Sequence, residues 1–182
     1  LKQVRAALDE LTRQYRDSRL YRCQIDVAAL DGDRCRLSGT ALDQETCMAV
    51  TAALADRFPA ITFDTGDVQV LRPGNPLTVG TNLTSLHAEP SFRSETVSQL
   101  VNGAHVELLL KQDRWAFIRQ ADGYLGWTYR SYLTPRPAPG PTHIVCEPIS
   151  LMRETPAMGS RLVSRLVSGT AVRVTALEGS WA

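Results

Sequence analysis

Four cysteines and three histidines are the residues of this 182-residue chain whose types suit nucleophilic or metal chemistry. Their spacing argues against both. A cysteine nucleophile needs a thiolate near a helix N-terminus or beside a base, with a histidine in reach and a third polar group orienting it. Cys47 falls inside a predicted helix. Cys146 starts a strand-like run and is followed by Glu147-Pro148. Cys23 and Cys35 fall on neighbouring predicted strands, but a turn near Gly32 does not place them opposite each other. No Cys-x-x-Cys occurs, and His87, His105 and His143 have no ligand spacing to the thiols. Neutral, buried, unpaired thiols are therefore expected, with no metal site. No paired carboxylates, glycine-rich phosphate loop or Ser/His/Asp set stands out either, so no catalytic residue and no cofactor is assigned within the chain.

Composition narrows the classes further. Apolar residues make 43% and charged residues 21%, with a net charge of +1. Both signs are interspersed, which gives no footprint for nucleic acid. No apolar run approaches the roughly 18 residues a membrane span needs. No leader-peptide pattern stands at Leu1, and compartment is not inferred from that.

The first part of the chain mixes helical and strand periods. Leu1, Val4, Leu8, Leu11 and Tyr15 recur at three and four residues, the stripe of an amphipathic helix. Leu20 to Val27 alternates, with Tyr21, Cys23, Ile25 and Val27 on one side, as in a half-buried strand. Asp31-Gly32-Asp33 predicts a turn into a second strand that carries Cys35, Leu37 and Gly39. Asp43 is a candidate N-cap for a helix with Cys47, Val50, Leu54 and Phe58 on one face, ended by Pro59. Ile61–Phe63 and Val68–Leu71 read as strands separated by a turn or bulge at Thr65-Gly66-Asp67. The order predicts a small α-β-β-α-β sandwich over residues 1–72, followed by a Pro/Gly linker at 73–77.

From Thr78 the helical period disappears and short strands alternate with turns. Val79, Thr81 and Leu83 alternate; Val97, Gln99 and Val101 lead to an Asn102-Gly103 turn. Val106, Leu108 and Leu110 share one face with Leu109 on the other. Gln112-Asp113-Arg114 turns the chain into Trp115–Arg119. Asp122-Gly123 turns it again into Tyr124-Leu125-Gly126-Trp127. Alternation places Trp115 with Phe117, and a core role is expected for Trp115. Gly126 is expected where a strand bends or backbones approach closely. This is the pattern of a small closed β unit over residues 78–134.

Part of that unit recurs. Leu100-Val101-Asn102-Gly103 reads like Leu166-Val167-Ser168-Gly169 at a shift of 66 residues. At the same shift Pro90, Val97, Ser98, Val106 and Trp115-Ala116 fall on Pro156, Val163, Ser164, Val172 and Trp181-Ala182. Leu86 falls on Leu151 at a shift of 65, which implies one inserted residue. Two copies of one module are expected, the second spanning 143–182. It lacks a counterpart of Phe117–Leu133, so either the chain continues or something else completes its sheet. Pro135–Pro141 predicts a polyproline-like spacer within a 135–142 linker.

The motif Leu86-x-x-x-Pro90, Val97-Ser-Gln-Leu-Val-x-Gly103, Val106-x-Leu-Leu109, Trp115-Ala116 and Asp122-Gly-Tyr-Leu-Gly-Trp127 resembles bacterial SH3 (SH3b) domains. In particular it is similar to those of NlpC/P60 cysteine peptidases of the γ-D-glutamyl-diamino-acid endopeptidase type. Ser38-Gly39-Thr40 before a helix, then Phe58-Pro59 and a valine-rich strand, resembles the BON module of bacterial envelope proteins. The implied fold class is α+β: an N-terminal α-β-β-α-β sandwich followed by two small SH3-like barrels, the second incomplete. The resemblance implies a non-catalytic region that recognises peptidoglycan stem peptide or muropeptide for a cysteine peptidase domain following Ala182. It implies Tyr124, with Asp122 and Trp127 beside it, as substrate-binding candidates; Tyr124 has a purely structural reading as well. The family's Asp-Cys-Ser-Gly-like nucleophile motif does not occur in these residues. The alternative is a non-enzymatic envelope scaffold using tandem SH3b modules. Wall-active relatives imply the cell envelope or an extracytoplasmic site, and muropeptide-recycling relatives the cytoplasm.

Overall fold

The computed structural model describes residues 1–136 and 140–182. The expected proline spacer therefore falls partly outside the described residues, at 137–139. The chain divides into two compact units, Leu1–Arg72 and Pro73–Ala182.

In the first unit, helix α1 (Lys2–Leu11) runs into a 3₁₀ turn at Thr12–Tyr15. Val4, Ala7 and Leu8 are its buried stripe, with Leu11 and Tyr15 half-buried against the same core. Leu1, expected in the stripe, is exposed instead, because it lies ahead of the first helical turn. Strands β1 (Cys23–Asp31) and β2 (Arg34–Ala41) form an antiparallel hairpin around Gly32, whose φ of 58° suits a tight turn. Leu20 and Tyr21 stay outside the strand, where Tyr21 packs edge-on against Tyr15 at 5.5 Å. A β-carbon at Gly39, which has φ 126°, would overlap the Gln24 carbonyl oxygen of the paired strand. Helix α2 (Gln44–Arg57) is capped by Asp43, whose carboxylate accepts from the Thr46 N–H at 2.8 Å. Strand β3 (Thr62–Val70) then pairs parallel to β2, giving the order β1-β2-β3. Two strands were expected here; the structure has one. Thr65 and Gly66 form a bulge opposite Leu37, and the Asp64 side chain closes it by accepting from the Gly66 N–H at 2.9 Å.

Both helices place their apolar stripes in one core with Ile25, Val27, Cys35, Leu37 and Val68. Cys35 and Cys47 are buried and Cys23 half-buried, all as free thiols; Cys146, also expected to be buried, is a free thiol on the surface. Burial, with Cys47 nearby, pushes the Cys23 thiol up to about 11.

The second unit opens with strand β4 (Pro76–Val79). It starts inside the expected linker, since proline is tolerated at a strand's first residue. It is separated from β5 (Leu83–His87), so Val79–Leu83 is not one strand. Then come β6 (Thr96–Val101), β7 (His105–Gln112), β8 (Trp115–Gln120), β9 (Leu125–Tyr129), a 3₁₀ turn at Arg130–Tyr132 and β10 (Leu133–Thr134). They form one sheet in the order β10-β4-β7-β8-β9-β5-β6. Its two end strands send Leu133 and Leu100 into the same apolar cluster as Val79, Leu86, Val106, Ala116 and Ile118. The sheet is thus curled around a single core, as in a small barrel.

Strand β8 is buried on both sides. Ala116 and Ile118 face the core, so Trp115 and Phe117 point the other way. Trp115 is buried, as expected, but in an aromatic cluster on the opposite sheet face. On β9 the core-facing positions are Gly126 and Thr128. A β-carbon at Gly126 would stand 3.0 Å from Leu86 Cβ and 3.3 Å from Val97 Cγ2, so this close approach requires glycine. Thr128 shares a 2.9 Å hydrogen bond with Thr84 between two buried hydroxyls.

Residues 143–182 form two short antiparallel pairs: β11 (His143–Ile144) with β14 (Ala171–Val172), and β12 (Ile149–Arg153) with β13 (Leu162–Val167). Every one of these partnerships reproduces, 66 residues on, a pairing of β4 with β7 or β5 with β6. The bulge after Leu86 recurs after Met152. The turn glycines Gly103 and Gly169 have φ 84° and 85° and donate to Val79 and Val145 respectively. Leu86 therefore corresponds to Met152, not to Leu151. The 65-residue match of two leucines is accidental, and no residue is inserted.

Candidate functional site

The β8–β9 connection is built by its own side chain and backbone. The Gly123 N–H closes a four-residue turn onto the Gln120 carbonyl at 3.0 Å, and Gly123 takes φ 92°, which glycine adopts freely. Asp122 Oδ1 accepts from the Tyr124 N–H at 3.0 Å, an Asx turn that fixes the entry into β9.

The three sequence candidates separate here. Asp122 is exposed at the turn. Tyr124 is half-buried, and its hydroxyl has no hydrogen-bond partner among the described residues. Trp127 is only 1% exposed and packs on Phe117 with ring centroids 5.1 Å apart. A ligand arriving from solvent meets Asp122 and Tyr124 but not the indole of Trp127.

Beside this turn lies an open cleft of about 590 Å³, with Ala121 and Gly123 on its rim. Pro76 and Val106 supply apolar wall, while His105, Glu107, Arg119 and Gln120 supply polar groups. Its size falls within the range of small-ligand sites. Glu107 on β7 and Arg119 on β8 are direct cross-strand partners. Arg119 uses two donors on one oxygen: Nε at 2.7 Å and Nη2 at 2.6 Å from Glu107 Oε2. That geometry leaves Glu107 Oε1 and Arg119 Nη1 without protein partners among the described residues. His105 adds a ring whose Nδ1 is 3.5 Å from Thr78 Oγ1.

Sequence reading missed this pair for a definite reason. The β7–β8 hairpin turns at Asp113-Arg114, and Asp113 has φ 49°. Counting back from that turn without interruption sets Arg119 opposite Leu108. The bulge at Leu109 moves the register by one, bringing Arg119 opposite Glu107 and turning Leu110 to the face of Phe117.

A second surface feature is aromatic. Phe92, in the loop between β5 and β6, is 60% exposed yet lies 4.7 Å from Trp115 and 5.7 Å from Tyr129, centroid to centroid. His87 closes the cluster at 5.7 Å from Trp115. Among the described residues, no group of three or more His, Cys, Asp or Glu is placed to hold a metal ion. No described helix is long and apolar enough to cross a membrane.

The curled antiparallel sheet with its side cleft is a small β-barrel. Residues 86–131 match the family of bacterial dipeptidyl-peptidase SH3 domains, and over those residues the chain is a bacterial SH3 domain. A domain of this type, found in peptidases, suggests a cell-wall-related binding module. No curated protein matches the chain.

Proposed function

We propose that this chain is the recognition region of a peptidoglycan-processing cysteine peptidase of the NlpC/P60 type, and that its SH3 barrel binds the stem peptide of a muropeptide. The observation that carries the reading is the solvent-open cleft beside the Asp122–Tyr124 turn, inside a domain whose family occurs in peptidases. On this reading, hydrolysis of the γ-D-Glu–diamino-acid bond belongs to a domain encoded after Ala182. Tyr124, which follows the cleft-lining Gly123 without lining the cleft itself, contributes its unpartnered hydroxyl to the substrate, while Asp122 holds the turn and Trp127 packs on Phe117. Residues 143–182 are a second SH3 module, supported by the 66-residue recurrence of strand partners. The N-terminal unit is a BON-type packing domain, supported by its α-β-β-α-β order. The protein acts in the cell envelope.

Titration of the chain with L-Ala-γ-D-Glu tests this reading. Binding is expected, weakened several-fold in Tyr124→Phe as one hydrogen bond of about 1 kcal/mol is lost. Equal affinities for wild type and Tyr124→Phe remove Tyr124 from the site, and no binding at all ends the muropeptide reading. A second reading, a scaffold without a peptidase, is favoured by the exposed apolar residues Ile149, Leu151 and Met158 of the C-terminal segment. A stop codon soon after the second module decides for it; a Cys on a helix followed downstream by a His on a strand, the nucleophile–base pair of a cysteine peptidase, decides for the enzyme.

A further inference from the structure

The ion pair in the cleft has more bonding capacity than it uses. Arg119 engages a single Glu107 oxygen with two of its nitrogens, at 2.7 and 2.6 Å. A side-on pair of this kind normally uses both carboxylate oxygens. Here Oε1 of Glu107 and Nη1 of Arg119 remain open, on side chains 46% and 35% exposed. One is a free anionic acceptor and the other a free cationic donor, held at a fixed spacing by two paired strands. The His105 ring stands on the same wall, and Pro76, Val106 and Gly123 leave room beside them.

We propose that this pair is a receptor for a small zwitterion: a short peptide whose free amine donates to Glu107 Oε1 and whose free carboxylate accepts from Arg119 Nη1. His105 stands two residues from Glu107 on the same strand. A capped or internal peptide segment offers neither charge, so the site selects released peptide fragments over intact strands. The inference rests on the reading of the barrel as a stem-peptide binder for its choice of natural ligand, but not for its chemistry.

The test uses the 182-residue chain, followed through the backbone amide signals of His105, Glu107 and Arg119 in heteronuclear NMR. Two probes are titrated: L-Ala-γ-D-Glu and its diastereomer L-Ala-L-Glu, which differ only at the glutamate α-carbon. Each is also prepared with its amine acetylated or its carboxylates esterified. In wild type each cap is expected to weaken binding about five-fold, the upper range for a partly exposed charge pair. In Glu107→Gln, acetylation is expected to have no further effect while esterification keeps its own. In Arg119→Gln the pattern reverses. This cross-matched loss isolates the two pairings from any general weakening. The doubly exchanged variant Glu107→Arg/Arg119→Glu keeps the cross-strand pair, so it guards against loss of folding. It is expected to bind both probes, with each cap weakening binding as in wild type. Binding of the L-Glu probe alone, with the same pattern, upholds the zwitterion receptor and removes the muropeptide reading. Caps that act equally in wild type and both variants, or amide signals in the cleft that move with neither probe, reduce Glu107–Arg119 to a structural strand pair and overturn the proposal.

Discussion

The hairpin β5–β6 and the hairpin β12–β13 share the same partners, the same bulge and the same turn geometry, yet they differ in what covers them. Leu86 in the first is fully enclosed, whereas Met152, its counterpart, is 43% exposed. Val106 is buried, and Val172 only half so. The loop residues Phe92 and Met158 hold equivalent places, but Phe92 rests on Trp115 and Tyr129 while Met158 is 77% exposed. The difference lies in β8 and β9. They bring Ala116, Ile118 and Gly126 against Leu86 and Val97. Hairpin geometry is thus a local property, set by a turn glycine and a bulge. Burial is not local: it depends on strands further along the chain.

Truncation at the two equivalent positions should break the symmetry most strongly. Leu86→Ala is expected to cost about 3 kcal/mol, the usual cost of a leucine cavity in a closed core. Met152→Ala is expected to cost no more than ~0.5 kcal/mol, as at other surface sites. Urea unfolding followed by tryptophan fluorescence reads both, since Trp115, Trp127 and Trp181 all lie in the second unit. Equal losses would mean that the C-terminal hairpin has a core of its own.

Glycine gives a smaller contrast with opposite signs. At Gly126 an added methyl meets Leu86 Cβ at 3.0 Å, Val97 Cγ2 at 3.3 Å and the His87 carbonyl at 3.4 Å. Neither strand backbone nor a core leucine's first carbon can move aside cheaply, and Gly126→Ala should destabilise by about 2 kcal/mol. Gly159 has nothing within 4 Å of such a methyl and no positive φ. There, alanine restricts the unfolded chain and should stabilise by up to ~0.5 kcal/mol. A loss at both positions would show that Gly159 is packed against something.

Which features were legible in sequence follows from the same division between local and distant causes. The Asp43 cap, the Gly32 and Gly103 turns and the α2 stripe each depend on a few adjacent residues, and each was readable. The close approach at Gly126 was readable from its place in an aromatic strand. Bulges were not. The bulge at Leu109 redirected Leu110 and created the Glu107–Arg119 pairing; the one at Thr65-Gly66 joined two expected strands into β3. A bulge is an accommodation between two strands, so one strand's pattern does not encode it. Likewise, alternation in β8 separates Trp115 from Ala116 but cannot say which face is the core when both are apolar. The Leu86–Leu151 match is a coincidence of residue identity, and hydrogen-bond register assigns Met152 instead. Of the candidate site, the turn at Asp122–Tyr124 was visible, whereas the cleft beside it, assembled from β4, β7 and β8, was not.

A single side-chain hydrogen bond tests whether the two hairpins are coupled at all. Ser164 on β13 donates to Asn82 Oδ1 at 2.7 Å, a bond linking the C-terminal segment to the loop before β5. The Asn82 backbone carbonyl separately accepts from the Asn102 N–H at 3.1 Å, so losing the side-chain bond leaves the first barrel's register intact. Ser164→Ala should therefore cost about 0.5–1 kcal/mol, a typical net hydrogen bond. The cost should fall on the segment with fewer other supports. Amide hydrogen exchange reads this directly: β12 and β13 should exchange two- to five-fold faster, while β5 and β6 hold their protection. Faster exchange in both hairpins would mean that the C-terminal segment supports the first barrel, and that the difference in burial hides a shared stability.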